Sequence, residues 1–93
     1  MSYDKKEKKR RDRLEIIAEI IELSYNPIKK TRIMYNARLS YTQLKNYLND
    51  LEKWNLLKAE NDGEDDVFYR RTEKGSIFLQ KYYQILQLLE SEN

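Results

Sequence analysis

Ninety-three residues suffice for one domain with a modest core, to which burial against a partner would add. The chain has no cysteine and no histidine, so it offers no disulfide framework, no thiolate zinc site and no neutral-pH proton shuttle, and no cofactor or metal is expected. Net charge is only +2; no apolar stretch approaches the roughly 20 residues of a membrane span and no signal-like apolar region follows the cationic start, so a cytoplasmic protein without membrane contact is expected.

The small net charge conceals an uneven distribution. Residues 1–13 hold seven cations against three anions, a local +4, and read as a basic arm. Such an arm, with Arg10, Arg11 and Arg13, suits phosphate or minor-groove contact as well as it suits a solubilising tail. A helix is predicted over about 12–23. Leu14, Ile17, Ala18 and Ile21 form one stripe on it, and Ile16, Ile20 and Leu23 form a second beside the first. So wide an apolar face implies packing on its own domain on one side and on a C-terminal helix or a partner chain on the other. Asn26-Pro27 ends the helix, because the residue before proline is forced out of the α region.

Residues 29–57 contain two short helical patterns joined by a polar corner at Arg38 and Leu39, which is how a helix-turn-helix reads. The first, about 31–36, turns Ile33 and Met34 inward and carries Lys29, Lys30 and Thr31 at its start, where backbone donors and the helix dipole already favour a phosphate. The second starts at Ser40, whose hydroxyl and the Gln43 amide form the reciprocal bonds of a capping box. Leu44, Leu48 and Leu51 make its core stripe, while Thr42, Lys45, Asn46 and Asn49 point elsewhere with groups suited to base edges or phosphates. The segment 29–53 is again +4.

Two strand-like runs follow, 57–60 and 67–71, around an acidic turn with the Asp62-Gly63 step, predicting a two-stranded wing. The tip, residues 61–66, reads as a solvated turn, a contact for a basic protein patch, or a weak cation site; for the last, Asp62, Glu64 and Asp65 lack the later bidentate glutamate of a calcium loop. A last helix starts near Thr72 and Glu73, with Gly75 weakening its first turn. Phe78, Tyr82, Ile85 and Leu89 form a short seam spaced by four, three and four, and Leu79, Leu86 and Leu88 broaden it. This face either folds onto the first helix or pairs with a second copy. The helix's length relative to the preceding ones favours a homodimer.

The run KTRIMYNARLSYTQLKNYLNDLEKWNLL, followed by a hairpin and YRRTEKGSIFL, resembles the archaeal winged helix-turn-helix proteins that include small dimeric DNA-binding chromatin proteins of the Sulfolobus ten-a type. The resemblance covers about 14–86, and its T-E-K-G step is common to many winged helices. It implies a third helix in the major groove, a hairpin touching the flanking backbone and a final helix pairing in an antiparallel coiled coil. Carried over, residues 40–53 become the recognition helix, with Ser40 at its start and Tyr41, Thr42, Gln43, Lys45 and Asn46 nearest the DNA. Two departures stand out: the acidic hairpin tip would be repelled by phosphate, leaving Arg70 and Arg71 at the wing's base as better contacts, and the final helix is short for an extended coiled coil.

The expected fold class is therefore α+β and mostly helical: a winged helix-turn-helix of three helices and a two-stranded wing over residues 14–73, a basic arm before it and a dimerisation helix over 74–93. The expected function is double-stranded DNA binding by a transcriptional regulator or chromatin protein, located with the nucleoid. Lys29, Lys30, Arg32, Arg38 and Lys45, with the arm, would neutralise phosphates, and Thr42, Gln43 and Asn46 would reach base edges. Tyr41 is expected beside the DNA and Tyr47 at the core edge. The alternative is a winged-helix protein-interaction module using the acidic wing and the aromatic C-terminal helix; the lack of acids between Ser40 and Asn49 favours DNA. No nucleophile has a base beside it and only two glycines exist, so nothing points to an enzyme.

Overall fold

The computed structural model describes residues 11–61, 63 and 66–90. The arm through Arg10 and the tip residues Asp62, Glu64 and Asp65 lie outside the described residues. The elements in chain order are α1 (Arg13–Leu23), β1 (Ile28–Lys29), α2 (Lys30–Ala37), α3 (Tyr41–Lys53), β2 (Leu57–Asn61), β3 (Val67–Arg71) and α4 (Glu73–Glu90).

Asp12 starts α1 by accepting a 2.8 Å bond from the Glu15 backbone N–H. The two expected stripes merge into one buried run of Ile17, Ala18, Ile20 and Ile21. Leu14 departs from the expectation and is exposed, since it lies one turn before that run begins. Buried Ser24 closes the helix. Its hydroxyl donates to the Ile20 carbonyl at 2.8 Å and its own carbonyl accepts from the Arg71 N–H at 2.9 Å, tying the end of α1 to the sheet.

The sheet is antiparallel and three-stranded, in the order β1-β3-β2, rather than two-stranded. β1 pairs Ile28 with Tyr69 and Lys29 with Phe68, and Ala59 faces Tyr69 from β2. A strand of two residues has no period for a sequence to display, and only tertiary pairing defines it.

Between α2 and α3 the chain turns through Arg38, which adopts the left-handed conformation at φ 54°, ψ 55°. Both bonds of the capping box form: Gln43 N–H to Ser40 Oγ at 3.1 Å and Ser40 N–H to Gln43 Oε1 at 2.9 Å. Leu44, Leu48 and Leu51 are buried together with Ile33, Ala37 and the apolar run of α1. Each such leucine contributes about 1.5–3 kcal/mol by leaving water. Tyr47 packs at the edge of this core, as expected.

Thr72 organises the start of α4. Its hydroxyl donates to the Asn55 carbonyl at 2.7 Å and accepts from the Gly75 N–H at 2.9 Å. Gly75 is buried and fits because it has no side chain, so it is a packing requirement rather than a weakness. α4 then crosses α1: Leu79 is buried, Phe78 and Tyr82 pack partly on the same core, and the Tyr83 hydroxyl donates to Glu22 at 2.5 Å. Of the residues expected at a dimer seam, Leu79 thus belongs to the protomer's own core. Ile85 and Leu89 are exposed with Leu88, the last two at 75% and 74%, and Leu86 is half-buried.

Candidate nucleic-acid interface

With Leu44, Leu48 and Leu51 inward, helical geometry turns Thr42, Asn46 and Lys53 outward and sets Tyr41, Lys45 and Asn49 on the flank nearer β3. Ser40, Tyr41, Thr42, Gln43, Lys45, Asn46 and Asn49 are all exposed. The outward face carries no acid from Ser40 to Asn49. Asp50, the next, is turned to α1, where it accepts from Arg13 at 2.8 Å.

At the start of α2, Lys29 provides no side-chain cap. Its ammonium leans instead over the wing, 5.8 Å from the Phe68 ring centroid and 3.7 Å from Asp66. Lys30 lies 5.3 Å over the ring of Tyr41, linking the start of α2 to the start of α3. Thr31, Arg32 and Arg38 are exposed. Among the described residues, Lys30, Arg32, Arg38 and Lys45 take part in no salt bridge.

Other expected cations are engaged within the protein. Arg11 has its side chain only 16% exposed, bonded to Glu19 at 2.6 Å and to the Ala37 carbonyl at 2.5 Å. Arg13 is bonded to Asp50 and lies over the rings of Tyr47 and Trp54. Both contacts brace the start of α1, Arg11 against the end of α2 and Arg13 against the end of α3. Arg70 bonds Glu60 at 2.7 Å, and this bond chiefly holds the Glu60 carboxyl below its ordinary pKa. Because side chains alternate along β3 and Tyr69 faces α3, Arg70 lies on the opposite sheet face, away from α3. Arg71 stacks 4.9 Å over Tyr25 at the wing's base. The structure therefore gathers the cations of α2 and α3 but does not bring Arg70 to them.

A cleft of about 140 Å³ opens between α2, α3 and β3, lined by Lys30, Tyr41, Leu44, Lys45, Leu48, Asn49 and Tyr69. Burial pushes the Tyr69 phenol above its ordinary pKa, with Glu52 and Tyr41 adding to the shift. Asn49 stands one turn beyond Lys45, a spacing legible in the sequence. Tyr69 gave no such signal, because the side a strand residue faces depends on pairing register.

Residues 10–90, which include every element from α1 to α4, match a winged helix-turn-helix family model. The chain belongs to the winged helix-turn-helix family. Archaeal relatives of this winged helix-turn-helix protein include the uncharacterized protein MJ0290 of Methanocaldococcus jannaschii, 35% identical over 81 residues, which are 86% of this chain and 36% of that protein. The chain thus spans about a third of that relative's length. Among solved structures, Sso10a-2, a DNA-binding protein from Sulfolobus solfataricus, superposes with a TM-score of 0.77 at 26% identity, covering 86% of this chain and 83% of the other. MepR, a transcription regulator of the Staphylococcus aureus multidrug efflux pump MepA, superposes with a TM-score of 0.73 at 16% identity over 92% of this chain and 65% of its own, a likeness of fold. No helix among the described residues of this winged helix-turn-helix protein is long and apolar enough to cross a membrane.

Proposed function

We propose that this chain binds double-stranded DNA as a transcriptional regulator or chromatin protein, with α3 in the major groove and two copies joined through the distal half of α4. The observation that carries this reading is the outward face of α3, polar and free of acids from Ser40 to Asn49 while its neighbouring acid, Asp50, is held by Arg13. Thr42 and Asn46 supply a hydroxyl and an amide for base edges, Gln43, whose Oε1 accepts from the Ser40 N–H, supplies its amide nitrogen, and Lys30, Arg32, Arg38 and Lys45 supply phosphate contacts. The resemblance to Sso10a-2, itself a DNA-binding protein, supports the same reading.

Four phosphate contacts per protomer give about eight per dimer, so the slope of log K against log salt is expected near roughly −7. Two recognition helices on one face of B-DNA need centres about 34 Å apart or a multiple of that. Fluorescence anisotropy of a labelled random-sequence duplex across a salt series tests the proposal. Salt-sensitive binding, abolished by Lys45→Glu with Asn46→Ala in a protein of unchanged circular dichroism, supports it. A slope near zero, or binding that the double substitution leaves intact, overturns it.

A further inference from the structure

The cleft between α2, α3 and β3 is lined by two cations and no acid, with the Glu52 carboxylate beyond the lining and near enough to act on the Tyr69 phenol. Two ammonium groups, Lys30 and Lys45, approach the cleft from different helices, and neither takes part in a salt bridge among the described residues. Its floor is apolar, made by the buried Leu44 and Leu48, so an anion there meets its partners in a medium that screens charge less than water does. Asn49 and Tyr41 place neutral polar groups at the rim.

Tyr69 adds the least expected element. Its ring is buried, with only 9% of the residue accessible. Among the described residues its hydroxyl makes no hydrogen bond, and no buried side-chain polar atom is left without a partner, so the hydroxyl reaches the solvent of the cleft it lines. A phenol whose hydroxyl reaches that cleft has a proton to donate to an anion that the two lysines attract. At about 140 Å³ the space holds several water volumes of roughly 30 Å³ each, enough for a compact tetrahedral oxyanion.

We propose that this cleft clamps one phosphate of the DNA backbone, with Lys30 and Lys45 supplying charge and the Tyr69 hydroxyl donating to a non-bridging oxygen, so that β3 fixes how far α3 sits along its groove. Tyr69 is thus a positioning residue of the interface contributed by the sheet. The inference rests on the DNA-binding reading and narrows it to one phosphate and three side chains. A free phosphate shares the chemistry, and the test separates the two sources.

The affinity and salt slope for duplex DNA are to be measured for the whole chain and for Lys30→Gln, Tyr69→Phe, Arg38→Gln, and Tyr69→Phe combined with each of the other two. Lys30→Gln is expected to reduce the steepness of the slope by about 0.9 for each protomer. Tyr69→Phe, which keeps the packed ring, is expected to weaken binding about tenfold for each protomer and so about a hundredfold for the dimer, the scale of one hydrogen bond to a charged acceptor at each site, without changing the slope. The decisive outcome is coupling: the Tyr69→Phe loss shrinks when Lys30 is already glutamine and persists undiminished beside Arg38→Gln. Equal losses in both backgrounds, or no loss at all, overturn the clamp while leaving DNA binding standing. Inorganic phosphate titrated by NMR gives the second arm. If the wild type fails to bind duplex yet phosphate shifts the amides of Lys30 and Tyr69, the DNA reading falls and the cleft stands as a site for free phosphate; if neither binds, both fall.

Discussion

A β-carbon placed on Gly75 would lie less than 3.0 Å from the carbonyl oxygen of Leu56. That carbonyl also accepts the Thr72 N–H at 3.1 Å, so the end of the wing, the start of β2 and the first turn of α4 are pressed into one junction. In an open helix, glycine to alanine stabilises by about 1 kcal/mol. Here the added methyl meets backbone, which has no rotamer by which to yield. Gly75→Ala is therefore expected to destabilise the protein by about 1–3 kcal/mol, read as a lower urea midpoint at unchanged m-value. An unchanged or higher midpoint would show that the junction relaxes.

The corner between α2 and α3 stores a smaller strain. Arg38 occupies the left-handed region, which costs a residue with a β-carbon roughly 1–2 kcal/mol and glycine little. Arg38→Gly is expected to raise stability by about 1 kcal/mol, offset in part by glycine's greater freedom when unfolded. If Arg38 also meets a phosphate, the same variant flattens the salt slope by about 0.9 per protomer. Thermal denaturation and the salt titration on one protein preparation check both outcomes.

Alkaline pH probes the crossing of α1 and α4. The hydrogen bond to Glu22 pushes the Tyr83 phenol from 10.0 up to about 12, with burial adding to the shift. The folded state thus prefers the protonated phenol. Its stabilisation is complete below about pH 10 and is lost as pH rises through about 12. Tyr83→Phe should reduce the fall in urea midpoint across that interval, leaving the part due to Tyr69 and Tyr82, whose phenols are also raised. A slope identical to the wild type's would mean that the Tyr83 bond is not kept in solution.

The distal half of α4 carries Ile85, Leu88 and Leu89 into solvent in a single protomer. Contiguous apolar surface of this kind is unusual in a monomer. Sedimentation equilibrium at micromolar concentration is expected to give a dimer, and Ile85→Glu with Leu89→Glu a folded monomer. A wild-type monomer at that concentration would remove the dimer from the proposed mode of binding. Leu79→Glu is a poor substitute, because it would unfold the protomer core instead.

Local signals made much of this fold legible before any coordinates. Ser40 with Gln43 announced the start of α3, the Leu44, Leu48 and Leu51 stripe announced its buried side, and the two strand-like runs announced β2 and β3. Readings that depended on who meets whom fared differently. Nothing in the residues themselves told that Arg11 and Arg13 are bonded to Glu19 and Asp50, because a cation in a basic run looks the same whether its partner is a phosphate or a carboxylate of the same chain. The third strand and the place of Tyr69 were hidden for a related reason: both are defined by register across the sheet. The requirement for Gly75 does not show locally in the sequence, because it is set by a neighbour 19 residues earlier, Leu56.

β1 and α2 share no intervening loop, since Lys29 ends the strand and Lys30 begins the helix. With Lys29 paired to Phe68 and Lys30 laid over Tyr41, the sheet and the helix-turn-helix form a single lever with no joint between them. A protein built this way moves its sheet and its helix-turn-helix together, so under the proposed DNA-binding reading the wing and α3 meet a duplex at one fixed relative setting.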